Sequence, residues 1–118
     1  MNNQCCPPNV FTLSTGDDGL MYLSAVYAQN YTPLDLTNCT AISVNLPNAD
    51  GSTLSLTLAD GAVAITSPPV LGSFTAVITE AQSTLLMVGE LQSFAVVFTI
   101  SGKVQTVWYP NALTVTQQ

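Results

Sequence analysis

The chain has 118 residues, enough for one domain with a substantial core, and 47% of them are hydrophobic. Only 7% are charged, against about 25% in an average soluble domain. The net charge is −6, and Lys103 is the single basic side chain. Because nucleic acids and anionic membrane surfaces are bound mainly through Lys and Arg, this composition excludes both as direct partners. No apolar run approaches the ~20 residues of a membrane-spanning helix, and residues 1–4 do not read as a secretion signal.

The common catalytic arrangements are excluded as well. The sequence contains no histidine, which removes Ser–His and Cys–His nucleophile pairs. Most of the seven acidic residues lie in turns beside glycine, where aspartate makes local hydrogen bonds. No facing pair of catalytic carboxylates is therefore expected. We expect a protein that is not an enzyme and that holds no cofactor and no metal ion.

Residues 1–9 are predicted to form an extended arm, because Pro7 and Pro8 disfavour helix and favour a polyproline-like path. The sequence has three cysteines: Cys5, Cys6 and Cys39. An odd number at these spacings predicts no disulfide framework, so reduced thiols from synthesis in the cytosol are expected. In the alternative hypothesis a partner subunit holds the arm, and its adjacent cysteines cross-link subunits after assembly.

Residues 10–118 are predicted to form one β-sandwich, because apolar and polar residues alternate in short segments separated by turns. The predicted strands are short and cover residues 10–14, 20–28, 39–46, 53–58, 62–66, 71–78, 94–100, 104–109 and 113–116. Both faces of the segment 20–28 are apolar, which predicts a strand that is central or covered on both sides. Pro110 and Asn111 are expected to break the strand before the last segment.

The turns and the one helix have local signatures. Residues 16–19, 47–51 and 101–103 read as turns, and Gly51 is placed for a positive φ. Thr79 and Gln82 have the spacing of a helix capping box, so a helix of at most two turns is predicted from there.

The order of several of these features resembles a known family. Residues 36–40 lead into a strand and a turn at 47–51, and the helical segment 79–89, the aromatic strand 94–100 and the closing 113–115 follow. This order resembles the small immunoglobulin-like modules of tailed-phage structural proteins, notably the N-terminal domain of baseplate upper proteins. The resemblance covers about two thirds of the chain. It implies an all-β, immunoglobulin-like antiparallel sandwich of about 7–8 strands with one short helical turn, and a virion structural role.

Two groups of residues are candidates for contact with a partner. Trp108 and Tyr109, beside Pro110, are interpreted either as an aromatic platform or as buried aromatics at a strand end. Four apolar residues are interpreted either as part of a docking patch or as core: Met21, Leu86, Met87 and Leu91. Together with the arm residues Cys5, Cys6, Pro7 and Pro8, the aromatic pair gives the predicted partner-binding residues.

The expected function is that of a bacteriophage virion protein, assembled in the host cytoplasm. The scarcity of charge favours a surface covered by neighbours, because the cores of protein interfaces are depleted in charge. A capsid decoration or cement protein on the outside of the head is the first hypothesis. A tail or baseplate adaptor and a carbohydrate- or receptor-binding module are the alternatives. The expected partners are phage coat or tail subunits and further copies of the same chain.

Overall fold

The computed structural model describes residues 11–26 and 32–117. The predicted arm, with Cys5, Cys6, Pro7 and Pro8, lies outside these described residues. Within them no helix is long and apolar enough to span a bilayer.

The described chain forms two sheets. Its elements in order are β1 (Phe11–Ser14), β2 (Gly19–Ser24), β3 (Cys39–Pro47), β4 (Thr53–Thr57), β5 (Val63–Ile65), a 3-10 turn (Pro69–Leu71), β6 (Ser73–Ile78), α1 (Glu80–Thr84), β7 (Gly89–Ile100) and β8 (Lys103–Thr116). One sheet has the strand order β1-β8-β7-β3-β4, and the other has the order β2-β6-β5.

This strand order is that of an immunoglobulin-like sandwich, which confirms the predicted fold. In that fold strands B, E and D pair in one sheet, and strands C, F and G pair in the other. Here β2, β6 and β5 take the places of B, E and D, and β3, β7 and β8 take those of C, F and G. β4 is an additional strand beside β3. One pairing departs from the predicted antiparallel arrangement. β1 runs parallel to β8, with Phe11 opposite Leu113.

The core lies between the two sheets and is built by alternation along the strands. Inward residues of β3 and β7 such as Val44 and Phe98 are fully buried, while their sequence neighbours face outward. The ring of Phe98 meets Phe74 of the opposite sheet edge-on, with centroids 5.4 Å apart. This contact joins the two layers at their centre.

The predicted placement of the second strand is wrong. β2 lies at an edge of the three-stranded sheet, and Leu20 and Tyr22 on its outer face are 51% and 68% exposed. The inner face is buried through Met21 and Leu23. An apolar outer face is therefore left uncovered by the described part of the chain.

The expected break at Pro110 is also different in the structure. β8 continues through this point, but the ladder with β7 loses its register between Gln92 and Phe94. Asn111 and Leu91 both have positive φ, at 54° and 52°, where non-glycine residues are uncommon. A bulge of this kind turns the strand without ending it.

The local signatures were predicted correctly. The Thr79 hydroxyl accepts the Gln82 N–H, and the Gln82 side chain accepts the Thr79 N–H, which completes the capping box of α1. Gly51 has φ +89° in the β3–β4 turn. Both signals depend on residues a few positions apart, so they do not need the tertiary fold.

Gly72 is expected to be the glycine that tolerates a side chain least. It has φ +69°, and a Cβ there would lie 2.6 Å from the Ala25 carbonyl oxygen and 2.8 Å from that of Leu34. We expect Gly72→Ala to lower the free energy of unfolding by about 3 kcal/mol or more, because left-handed strain and a backbone clash add.

Urea denaturation checks this expectation against a matched variant. Gly61 has φ +86° with no atom within 4 Å of the built Cβ, so Gly61→Ala carries the strain alone and is expected to cost about 1 kcal/mol. Equal losses in the two variants would show that the close approach at Gly72 does not matter.

Candidate functional site

Exposed apolar side chains cluster where α1 leads into β7. We call this cluster the apolar end, and it consists of Leu85, Met87, Val88 and Leu91. Their exposed fractions range from 41% for Met87 to 61% for Leu85. An open depression of about 600 Å³, with Met87 and Val88 in its wall, lies beside them. Large apolar side chains grouped in this way on a soluble protein are typical of an interaction site.

Backbone contacts hold the apolar end against the β3–β4 turn. The Leu85 carbonyl accepts the Ala49 N–H at 3.0 Å, and the Met87 N–H donates to the Pro47 carbonyl at 3.1 Å. Leu86 lies between them and is buried in the core. Leu86 is buried while its two neighbours, Leu85 and Met87, are exposed, so the inward anchor leaves both of them at the surface.

A second group of bonds shapes the segment that follows. The Gln92 side-chain amide donates to the carbonyls of Met87 at 2.8 Å and Gly89 at 3.1 Å. The Leu91 N–H donates to the Thr114 hydroxyl at 3.2 Å, which fixes Leu91 in its left-handed conformation. These hydrogen bonds hold the backbone of residues 87–92 in one conformation, so the exposed side chains of the apolar end project from a fixed backbone.

The acidic residues Asp50 and Glu90 lie on the segments that form or contact the apolar end. Asp50 follows Ala49 in the β3–β4 turn, and Glu90 lies within the segment itself. Asp18 accepts the Glu80 N–H at 2.8 Å, where the β1–β2 turn meets α1. Lys103 lies at the far end of β7 and β8, roughly 35 Å away by strand length. This end of the sandwich is therefore negative, with no cation of the described chain near it.

The carboxyl of Asp50 is held in its ionised form. The Ser52 hydroxyl and the Ser52 N–H both donate to it, and these bonds lower the pKa of Asp50. The negative charge at this turn is therefore present at neutral pH.

The predicted aromatic platform is not formed by both of its residues. Trp108 lies on the outer face of β8 and is 60% exposed, opposite Ala95 of β7. Tyr109 points into the sandwich, where its ring stacks on Phe94 with centroids 5.0 Å apart. Neighbouring residues of a strand face opposite sides, so the carbohydrate-binding hypothesis is left with one exposed ring.

Tyr109 links the two sheets through its hydroxyl. The group donates to the Ser24 carbonyl oxygen of β2 at 2.8 Å. Burial raises the pKa of Tyr109 above its usual value.

The alkaline stability of the fold is expected to depend on Tyr109. An unfolded tyrosine ionises near pH 10 while the buried one stays neutral, so the stabilisation is complete below that pH and is lost as the pH rises above it. Thermal unfolding at pH 8 and pH 11 is expected to show this loss in the wild type. Tyr109→Phe should reduce the loss, and the part that remains is assigned to Cys39, because burial raises the pKa of that thiol as well. The variant should also cost about 1–2 kcal/mol at neutral pH, because the Ser24 carbonyl loses its donor. Tyr22→Phe, at an exposed ring, is the control, and an unchanged alkaline loss in Tyr109→Phe would contradict the assignment.

Cys39 and the acidic residues of the described chain form no further site. Cys39 is a free, half-buried thiol whose pKa is raised by burial, and its Sγ donates to the Ala41 carbonyl at 3.3 Å. In residues 11–26 and 32–117 no group of three or more Cys, Asp or Glu side chains is placed to hold a metal ion.

The sequence identified half of the apolar end. Met87 and Leu91 of the proposed docking patch are exposed, whereas Met21 and Leu86 belong to the core. Leu85 and Val88 were missed. The signal that could have found them is the apolar run from residue 85 to residue 88, directly after the capped helix. Burying one residue of this run, Leu86, is enough to anchor it, so the other apolar side chains were available for the surface.

Comparison with known proteins adds no identification. No protein-family model matches the sequence, and no curated protein is significantly similar to it.

Proposed function

We propose that this chain is a non-enzymatic structural protein of a tailed bacteriophage, a decoration protein that binds the outside of the head. The apolar end is the observation that carries the proposal. It places several large apolar side chains on the surface of a chain that has few charges anywhere. A surface of this composition matches the desolvated centre of a protein interface.

The acidic surroundings of the apolar end indicate the chemistry of its partner. A coat subunit with an apolar depression bordered by Lys or Arg would bury the apolar side chains and neutralise Asp50 and Glu90. Such complementarity selects the partner and speeds encounter at low salt. The sandwich then contacts neighbouring coat subunits as a rigid body, and the surface area buried in these contacts stabilises the head.

The resemblance to baseplate upper proteins supports a second location, on the tail. Both locations use the same interaction chemistry, so the surface alone does not separate them. The two locations are distinguished by separating heads from tails of purified particles and counting the copies of the chain in each fraction by mass spectrometry. Many copies on tail-less heads are expected. A small ring-like number on tails would move the protein to the baseplate, and absence from both fractions would refute a virion role.

A further inference from the structure

The free edge of β4 offers backbone groups to another strand. Among the described strands β4 pairs only with β3. The Asn48 N–H bonds to the Ser52 carbonyl, and the Leu58 N–H bonds to the Ile42 carbonyl, each at 3.0 Å. Because hydrogen-bonded positions alternate in an antiparallel ladder, residues 52, 54, 56 and 58 face β3. Thr53, Ser55 and Thr57 therefore direct their N–H and C=O groups away from the sheet.

Between Thr53 and Thr57 this edge has no charged residue, proline or bulge to prevent strand addition. Edge strands are usually protected by lysine, by proline, by a bulge or by inward charges. β4 reads Thr-Leu-Ser-Leu-Thr and pairs in unbroken register with β3 from Thr53 to Thr57. It has no charged side chain, although the chain as a whole has a net charge of −6.

We propose that β4 pairs with β4 of a second copy, antiparallel about a two-fold axis at Ser55. The five-residue sequence reads the same in both directions around Ser55. In this register Ser55 faces Ser55 of the second copy, and Thr53 faces Thr57 of the second copy. The outward N–H and C=O groups of each chain then meet as hydrogen-bonded pairs, and the two large sheets become one.

The side chains also fit a second copy in this register. Leu54 and Leu56 face the sandwich interior, with Leu56 buried and Leu54 only partly covered. Each Leu54 comes opposite Leu56 of the second copy, which extends the apolar layer across the junction. On the outer face threonine lies opposite threonine, a favourable cross-strand pair. In a two-fold contact the same surface of both copies meets, so any charge on the strand would face a like charge near the axis. A strand that is uncharged and reads the same in both directions avoids this repulsion and pairs like residues.

The association is expected to be weak and to strengthen with salt. A ladder of five residues is short, which places the contact among small, transient interfaces. The register also brings Asp50 of one copy near Asp60 of the other, just beyond the ladder. Hydrogen bonds lower the pKa of both carboxyls, so both are charged. Added salt screens this repulsion and should strengthen the pairing of two copies. It should weaken the binding of the acidic apolar end to a basic partner, because that binding depends on attraction between opposite charges.

Charge substitutions at the two-fold axis test the proposal. In reductant, which removes any cysteine cross-link, the mass from sedimentation equilibrium is expected to rise with concentration from 12.4 kDa towards twice that value. Ser55→Lys and Ser55→Glu should each weaken self-association by a factor of about five, because like charges then face each other. An equimolar mixture of the two variants should associate again. Ser55 is exposed on its strand, so neither change should unfold the monomer.

A matched control uses Ser24, an exposed serine at the end of β2 on an edge of the other sheet. Ser24→Lys and Ser24→Glu should associate as the wild type does. A wild type that stays monomeric up to millimolar concentration would overturn the proposal. So would Ser55 variants that associate normally, or a mixture that does not recover. None of these outcomes depends on a virion role, because the experiment uses the isolated chain.

Discussion

Phe98→Ala is expected to lower the free energy of unfolding by about 3–5 kcal/mol. The side chain is fully buried on β7, and removing it leaves a cavity against Phe74 of the opposite sheet. The edge-to-face contact between the two rings is lost as well, which adds to the cost of the lost burial. Domains of this size are typically stable by only about 5–15 kcal/mol, so a large share of the stability would disappear.

Urea denaturation of the wild type, Phe98→Ala and Phe98→Leu measures this effect. Phe98→Leu keeps most of the apolar volume and is expected to cost about 1.5 kcal/mol. A loss below about 1 kcal/mol in Phe98→Ala would mean that this contact does not hold the two layers together.

The second large effect concerns binding through the apolar end. Met87→Asp and Leu85→Asp are each expected to weaken binding to purified heads that lack the chain by about a hundredfold, close to 2.7 kcal/mol. Each variant removes an apolar contact and adds a negative charge to an end that already carries Asp50 and Glu90. Both side chains are substantially exposed, so the free energy of unfolding should change little.

Val104→Asp is the matched control. Val104 is 69% exposed beside the β7–β8 hairpin, at the opposite end of the sandwich. Its variant should bind heads as the wild type does, and Trp108→Ala should as well. Equal weakening by Val104→Asp would contradict the assignment of the apolar end, whereas loss in Trp108→Ala alone would place the contact on the outer face of β8.

The features that the sequence predicted well are local or periodic. Alternation gave the strands, because each inward position of a two-layer fold must be apolar. The capping box at Thr79 and the turn at Gly51 need only their own neighbours. The immunoglobulin-like arrangement followed from the number and spacing of strands together with the resemblance.

The features that the sequence missed depend on what packs against a strand. The apolar outer residues of β2, such as Tyr22, suggested a covered strand, yet the described chain leaves them exposed. Trp108 and Tyr109 are adjacent in the sequence, which suggested one aromatic group, but neighbouring residues of a strand face opposite sides of the sheet. Leu91 is left-handed without a sequence signal, because the bulge between β7 and β8 imposes its conformation. Asn111 had a signal, since asparagine adopts this conformation more readily than most residues, but beside Pro110 it suggested a strand break and not a bulge.

Cryo-electron microscopy of heads with and without this chain tests the central claim most directly. The difference map is expected to show a sandwich of about 38 × 34 × 23 Å that meets the coat through the end carrying α1 and residues 85–91. Density that meets the coat through the β7–β8 hairpin, or a map with no difference on the head, would contradict docking through the apolar end.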